Sequence, residues 1–145
     1  MNKQRSKFNV SANITKRTHN GITFDSELEM RYYKEIVLPY YQEGIITYYE
    51  LQKKYELQPS FKHEGTTIRA ITYVADFYLE YNDGHIEVID TKGYADPTAK
   101  LKKKLFWYKY PELNYKWIAY SKIDGGWCDY DTIQKNRQKR KRDKK

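Results

Sequence analysis

Residues 67–92 read TIRAITYVADFYLEYNDGHIEVIDTK, and this stretch predicts a β-hairpin at the centre of the fold. β-Branched and aromatic residues dominate both halves, as is typical of strands. The turn chemistry is supplied by Asn82-Asp83-Gly84, which lies between them. Asp76 and Asp90 each lie about seven residues from the centre of this turn. We therefore expect the hairpin to bring the two aspartates close together.

On one face of the second hairpin strand, apolar side chains are followed by charged ones. Successive side chains of a strand alternate between its two faces. Asp90 and Lys92 therefore continue the face that Val88 begins. A surface ion pair at the end of a strand would also explain this pattern.

The first strand has one charged residue in its middle. Asp76 lies between Val74 and Tyr78 on one predicted face, in a run that contains no other charge from Thr72 to Leu79. Taken alone, this acid is weak evidence for a site. Combined with the aspartate and lysine of the second strand, it predicts a shared pocket of acids and a cation.

An amphipathic helix is predicted from Phe24 to about Pro39. Glu29 falls within its apolar arc, and two interpretations are open. Ser26 and Glu29 fit a capping box, in which the serine caps the helix and the glutamate reaches back to its amide. Alternatively, Glu29 faces the interior and joins the hairpin acids, because a buried carboxylate needs a compensating partner.

The order of the predicted elements indicates an α/β fold, a mixed β-sheet flanked by helices. The extended region after the first helix is expected to break near residues 52–54 and again at Pro59. The chain from about Asp129 is expected to begin as a helix and to fray into disorder. The elements are a helix (24–39), two extended stretches (45–61), the hairpin (67–92), a helix (96–108) and a strand (114–121).

Charge divides the chain of 145 residues into three parts. Residues 1–20 hold five basic and no acidic side chains, and residues 135–145 hold eight basic and one acidic. The body between them, residues 21–134, has 14 basic against 18 acidic residues, although the whole chain carries +8. This division predicts a basic N-terminal arm, one domain and a basic C-terminal tail that together bind a polyanion. Solubilising or localising tails are the alternative.

The composition argues against several classes of protein. No run approaches the roughly 18 apolar residues of a membrane span, and the first ten residues lack the apolar core of a signal peptide. A cytosolic protein that does not bind membranes is expected. Cys128 is the only cysteine and the three histidines are scattered, which argues against a disulfide and against structural zinc.

Acids grouped with a lysine suit a particular chemistry. Carboxylate oxygens and a backbone carbonyl are ligands that Mg²⁺ prefers, and a bound cation activates water and stabilises charge on a phosphoryl oxygen. Lys92 would orient or deprotonate that water, or neutralise charge on the phosphorus. The reaction implied is hydrolysis of a phosphodiester bond.

These residues, in this order, resemble the PD-(D/E)xK nuclease superfamily. Within it the sequence is similar to the phage endonuclease I group, which resolves Holliday junctions, and to related small phage nucleases. The likeness covers about residues 21–121. The matching motifs are Ser26-x-Leu28-Glu29, Tyr73-x-Ala75-Asp76-Phe77, Val88-Ile89-Asp90-Thr91-Lys92-Gly93, the basic helix that follows, and Pro111-Glu112-Leu113.

The resemblance implies a restriction-endonuclease-like core and a set of site residues. Asp76, Asp90 and the Thr91 carbonyl would bind Mg²⁺ or Mn²⁺, Lys92 would serve the nucleophile, and Glu29 would complete the catalytic and metal site. It also implies the cytoplasm of a phage-infected or bacterial cell. Members of the endonuclease I group are intertwined dimers, so a homodimer is allowed, and no protein partner is indicated.

Two positions depart from the family pattern. Ala75 stands where the motif has proline, and Asp90 stands where endonuclease I has glutamate. The alanine position shapes the strand and does no chemistry. The motif itself allows aspartate or glutamate at the second position.

DNA is the expected partner, and two basic regions are predicted to contact it. In the second helix, Lys100, Lys103, Lys104 and Trp107 fall within about 100° of arc, opposite a predicted core face of Leu101, Leu105 and Tyr108. A solvated lysine face without a ligand is the alternative. No segment resembles a groove-reading module, so we expect readout of phosphate geometry. The tail residues assigned to DNA are Arg137, Arg140, Lys141 and Arg142.

Three hypotheses follow from these observations. The first is a metal-dependent DNA endonuclease acting on branched DNA such as Holliday junctions. The second is a nuclease that processes ordinary duplex DNA of a phage or mobile element. The third is a nucleic-acid-binding protein without catalytic activity on a nuclease scaffold.

Overall fold

A five-stranded mixed sheet with helices on both faces organises the fold. The computed structural model describes residues 13–144. The strands are β1 (Thr18–His19), β2 (Ile22–Thr23), β3 (Ile46–Gln58), β4 (Phe61–His63), β5 (Thr66–Ile68), β6 (Ile71–Tyr81), β7 (Ile86–Thr91), β8 (Asn114–Ser121) and β9 (Gly126–Asp129). The central sheet has the order β3-β6-β7-β8-β9, in which only β7 and β8 are parallel neighbours. The predicted α/β fold is confirmed.

Three helices accompany the sheet. The first, called α1 (27–42), joins α-helical Glu27–Tyr32 and Leu38–Gln42 through the π-helical turn Tyr33–Val37. The others are α2 (Pro97–Lys109) and α3 (Tyr130–Asp143). Two 3-10 turns, Ile14–Arg17 and Lys122–Asp124, complete the described elements.

The first helix continues beyond its predicted end at Pro39. A proline has no N–H to donate and normally ends a helix. Here the π-helical turn widens the helix immediately before Pro39, with the Leu38 amide donating to the Tyr33 carbonyl. The missing donor is thus accommodated, and the helix runs on to Gln42.

The predicted hairpin is confirmed with its register. Phe77 lies opposite Ile89 and Tyr78 lies opposite Val88, and the connecting turn contains Gly84 in the left-handed region. The next pair toward the open end of the hairpin is therefore Asp76 with Asp90.

Two clusters of mainly aromatic and aliphatic side chains form the core, one on each face of the sheet. The α1 face buries Tyr33, Phe77 and Leu79. The α2 face buries Phe106 and Val88, around which several tyrosines and Trp117 pack. Large rings therefore supply the buried apolar area that the modest hydrophobic content of the chain would otherwise lack.

The strands β3 and β6 both change face at the level of Asp76. Leu51 and Phe77 pack on the α1 side, whereas Tyr55 and Tyr73, four residues away along each strand, pack on the α2 side. In a regular strand, residues four apart share a face. The prediction that Asp76 shares one face with both Val74 and Tyr78 is therefore wrong.

The residue opposite Asp76 explains this irregularity. Gln52 has a φ of 55°, a left-handed conformation that non-glycine residues adopt at a cost. The expected break near residues 52–54 is this local distortion, and β3 continues through it as one strand to Gln58. A prediction from the alternation of side chains assumes a regular backbone, so it could not identify the change of face.

The second helix buries a different face from the predicted one. Leu101 is 58% exposed and Tyr108 is 88% exposed, so their predicted core positions are wrong. Phe106 is fully buried instead and carries Lys103 onto the same side. The long aliphatic stem of Lys103 tolerates burial because its ammonium reaches a partner.

The ends of the chain are more ordered than expected within the described residues. The hairpin of β1 and β2 crosses the predicted boundary at residue 20, and α3 remains helical to Asp143 instead of fraying after its start. Residues 1–12 of the predicted basic arm, and residue 145 of the predicted tail, lie outside the described residues. Within residues 13–144, no helix combines the length and apolarity needed to cross a membrane.

Candidate active site

Asp76 and Asp90 meet across the open end of the β6–β7 hairpin. The Asp76 Oδ2 atom accepts hydrogen bonds from the Thr91 backbone amide at 2.9 Å and from the Thr91 hydroxyl at 3.0 Å. Asp90 is buried, with 4% of its surface exposed. The hairpin register therefore holds two carboxyl groups together at the point where β7 ends.

Lys92 brings a cation to this pair of acids. Its Nζ atom lies 2.6 Å from Asp90 Oδ2 and 5.3 Å from the centre of the Trp117 ring. Its backbone amide donates to the Ile118 carbonyl of β8 at 2.8 Å. The parallel neighbour thus positions the lysine, and the predicted common face of Val88, Asp90 and Lys92 is confirmed on the α2 side.

Glu29 approaches the site from the first turn of α1. Ser26 Oγ accepts a hydrogen bond from the Glu29 amide at 3.0 Å, which confirms the serine as the N-cap. The Glu29 side chain is nonetheless 98% buried, with only 2% of the residue exposed. The serine half of the capping box is therefore confirmed, while the Glu29 side chain turns inward and accepts from Gln52.

Gln52 is a site residue that the sequence reasoning did not identify. Its Nε2 atom donates to Glu29 Oε1 at 2.5 Å, and its backbone lies opposite Asp76 in the β3–β6 register. A left-handed residue inside a strand is costly and collects at functional sites. The sequence feature that could have identified Gln52 is the expected break near residues 52–54, which by itself predicts only a gap between two strands.

Two acids of the site, Glu29 and Asp76, have raised pKa values. The pKa of Glu29 is raised to about 8, first by burial and then by Asp25, and Asp90 adds to the effect. The pKa of Asp76 is raised well above its usual range by burial, then by Asp90 and then by Glu29. Three acids against the single ammonium of Lys92 leave two negative charges when all are ionised.

The donor set fits a hard divalent cation in part. The buried Asp90, the half-buried Asp76 and the Thr91 carbonyl are oxygen ligands of the kind that Mg²⁺ and Mn²⁺ accept. A doubly charged ion would favour the ionised forms of these acids. Within residues 13–144, however, no three His, Cys, Asp or Glu side chains are grouped as a metal site. Glu29 Oε1 accepts a hydrogen bond from Gln52, and the assignment of Glu29 as a metal ligand stays a prediction of the resemblance.

A buried chain of hydrogen bonds leads to Asp90 from the α2 side. The Trp117 Nε1 atom donates to the Tyr115 hydroxyl at 2.7 Å, and that hydroxyl donates to the Tyr73 hydroxyl at 2.7 Å. Tyr73 interacts with Asp90, since burial and that carboxylate raise the pKa of Tyr73 far above its usual value. These aromatic residues are therefore both core and support for the site.

The cationic surface of α2 consists of fewer residues than predicted. Lys100 and Lys104 are exposed, and Trp107 is 47% exposed with its Nε1 atom donating to the Tyr115 carbonyl at 3.3 Å. Lys103 is buried instead and donates to Asp131 at 2.8 Å, with its Nζ atom 4.0 Å from the centre of the Trp117 ring. The structure uses Lys103 to join α2 to α3, because Phe106 turns that side of the helix inward.

The basic residues of α3 divide in the same way. Arg137, Lys141 and Arg142 are exposed on the helix. Arg140 instead donates to Asp124 Oδ1 at 2.9 Å and ties α3 to the turn before β9. Of the four tail residues assigned to DNA, three remain available at the surface.

The sequence matches a known protein family. The model of a family described as "Protein of unknown function (DUF1064)" matches residues 5–124, which include every acid of the candidate site and Lys92. No curated protein matches the sequence.

Proposed function

The chain belongs to the DUF1064 family of proteins of unknown function, and we propose that it is a metal-dependent DNA endonuclease that hydrolyses phosphodiester bonds. The observation that carries the proposal is the juxtaposition of the half-buried Asp76 and Lys92 with the buried Asp90. Placing two acids beside each other and away from water destabilises a fold. Such a group is therefore better explained by chemistry than by stability.

The side chains of the site would divide the work as follows. Asp76, Asp90 and the Thr91 carbonyl would hold Mg²⁺ or Mn²⁺, which when bound supplies an activated water and neutralises charge on the phosphate. Lys92, held at 2.6 Å from Asp90, would orient the attacking water and balance the charge that develops on the phosphoryl oxygens. Glu29, which is buried beside these residues, would complete the catalytic and metal site.

The charge of the surface supports DNA as the substrate. Lys100 and Lys104 are exposed on the helix that follows the strand of Asp90 and Lys92. Trp107 exposes part of its ring beside them, which suits packing on a sugar or base. The exposed cations of α3 add a second region for backbone phosphates.

We propose branched DNA, such as a Holliday junction, as the preferred substrate, in the setting of phage or bacterial DNA recombination. Support comes from the sequence motifs shared with the endonuclease I group and from basic residues spread over separate surfaces, which suits phosphate geometry more than base sequence. A homodimer would supply two active sites for two strands. Ordinary duplex DNA is the alternative substrate.

A cleavage assay tests the proposal. The protein is incubated with a four-way junction or with a linear duplex of the same sequence, in Mg²⁺, in Mn²⁺ or with chelator. We expect metal-dependent cuts, more of them on the junction, and none from an Asp90→Asn preparation. Equal cutting of both DNAs would favour the duplex nuclease. DNA binding without any cutting in either metal would favour the binding protein and refute the nuclease.

A further inference from the structure

A short two-stranded ribbon projects from the body of the protein beyond the candidate site. The strands β4 and β5 pair only with each other, through Phe61 with Ile68, Lys62 with Thr67 and His63 with Thr66. All residues from 59 to 69 are exposed. The ribbon, called the arm (residues 59–69), belongs to neither core cluster, so its sequence is not explained by packing.

The side chains of the arm combine charge and apolar surface. Lys62 and Arg69 form no ion pair within residues 13–144, and Glu64 at the turn is the only acid of the arm. Phe61 is 46% exposed and lies opposite Ile68, which is 37% exposed. An exposed apolar pair flanked by free cations is suited to a polyanion that also offers apolar contacts.

The arm continues the two strands that carry Gln52 and Asp76. Arg69 precedes Asp76 by seven residues, which corresponds to at most about 23 Å along an extended strand. This distance equals about seven base pairs of duplex at 3.4 Å per step. An object bound at the site would therefore meet the arm less than one helical turn away.

We propose that the arm binds double-stranded DNA beside the cleaved phosphate, with Lys62 and Arg69 on backbone phosphates and the pair Phe61 and Ile68 against the groove. A two-stranded β-ribbon has the width that the major groove admits. This inference rests on the proposed function, because it assigns the arm to the substrate of the same site. It also replaces the expectation that the protein has no groove-sized module.

A second copy of the chain is a less suitable occupant. The surface area that two partly exposed apolar side chains offer is far smaller than the roughly 800 Å² that each partner buries in a stable protein interface. The free cations would also face the same cations across a two-fold axis, if the arms met each other. Charge complementarity therefore favours nucleic acid.

Binding measurements without divalent metal test the arm separately from cleavage. The double variant Lys62→Gln with Arg69→Gln is compared with the wild type and with a control, Lys34→Gln with Lys122→Gln, which removes two exposed lysines outside the arm. Affinity for the four-way junction and the linear duplex is measured over a range of salt, and hydroxyl-radical footprinting locates the contacts.

We expect the arm variant to bind roughly five- to fiftyfold more weakly and to flatten the salt dependence by at most about 1.8 units of slope, at about 0.9 per phosphate. Its footprint should lose protection at a position up to about seven base pairs from the centre and keep the central protection. The control should keep affinity and footprint.

Three results would overturn the proposal. These are an unchanged footprint in the arm variant, an equal loss of affinity in the control, or a wild-type oligomer that the arm variant dissociates in sedimentation, which would assign the arm to a second copy. Absence of cleavage in Mg²⁺ with an arm-dependent footprint would refute the nuclease and leave the arm assignment standing. Cleavage with an arm-independent footprint would do the reverse.

Discussion

The Gln52 side chain donates a hydrogen bond to Glu29 at 2.5 Å, and the Gln52 backbone has a φ of 55°. This contact joins β3 to the first turn of α1 at the level of Asp76. Holding the amide there requires a left-handed residue in the middle of a strand. The contact therefore requires a strained backbone, and we expect it to have a role in function.

Substitution of Gln52 should separate stability from activity. Gln52→Gly removes the left-handed cost, so we expect it to be more stable than Gln52→Ala by about 1 kcal/mol. Both variants lose the hydrogen bond to Glu29 and should cut DNA more slowly. Urea unfolding and single-turnover cleavage measure the two effects. Full activity in Gln52→Gly would remove Gln52 from the site.

Neutralising Asp76 should stabilise the metal-free protein and stop cleavage. Asp76→Asn keeps an oxygen that can accept from Thr91 and removes a charge that burial, Asp90 and Glu29 disfavour. We expect a gain in the free energy of unfolding, because the disfavoured charge is gone, and a loss of cleavage of at least about a hundredfold. The control Asp83→Asn alters an exposed acid of the same hairpin.

The combination of outcomes is what identifies the site. An acid that serves stability loses both stability and activity when it is neutralised. A less stable Asp76→Asn protein in chelator would show that the carboxylate is a structural partner of Thr91. Thermal unfolding with and without Mg²⁺, at constant pH, distinguishes the two cases.

The hydroxyl of Tyr73 should support the reaction through Asp90. Tyr73→Phe removes the hydroxyl that interacts with Asp90 and accepts from Tyr115, while preserving the ring. Partners of this kind typically contribute ten- to a hundredfold in metal affinity or activity, so we expect a loss of roughly tenfold or more. Dependence of the rate on Mg²⁺ concentration should shift to higher metal. The matched variant Tyr110→Phe removes a hydroxyl that donates to the Glu56 carbonyl and should cut normally.

Asp124 should make the attachment of α3 sensitive to acid. Hydrogen bonds from Arg140, Ser121 and Asn136 hold the pKa of Asp124 below its usual range, with Arg140 the largest cause. A lowered pKa in the folded state means that this stabilisation is present above the unfolded pKa of about 3.9 and is lost as the pH falls through the folded value.

The corresponding experiment compares unfolding of wild type and Asp124→Asn from pH 7 to acid conditions. We expect the wild type to be more stable at neutral pH and the difference to shrink as Asp124 becomes protonated. Asp143→Asn, which alters an exposed acid of α3, is the control. If the difference in stability between wild type and Asp124→Asn does not change with pH, the asparagine destabilises the protein for a reason other than the lost charge.

Much of the site could be predicted from the sequence because its key relationships are local. The turn at residues 82–84 determines the register of the hairpin, and strand alternation then places Asp90 and Lys92 on one face. Ser26 at the start of α1 followed from the chemistry of helix caps. Each of these conclusions depends only on residues close together in the chain.

Other features depended on which distant residues meet. Lys103 and Arg140 belong to basic runs, and only the packing of α2 and α3 shows that Asp131 and Asp124 engage them. The sequence pattern does not distinguish the arm from the stretches on either side of it. Only the pairing of β4 with β5 shows that it is separate from the central sheet.

The sequence by itself determined the sheet-forming hairpin, its acids and its lysine, since periodicity and turn chemistry act over a few residues. Tertiary structure alone decided that Gln52 is left-handed, that β3 and β6 change face at Asp76, and that Gln52 donates a hydrogen bond to Glu29. A regular strand pattern carries no information about where the backbone departs from regularity. That departure is stabilised by contacts between β3, β6 and α1, which exist only once the chain has folded.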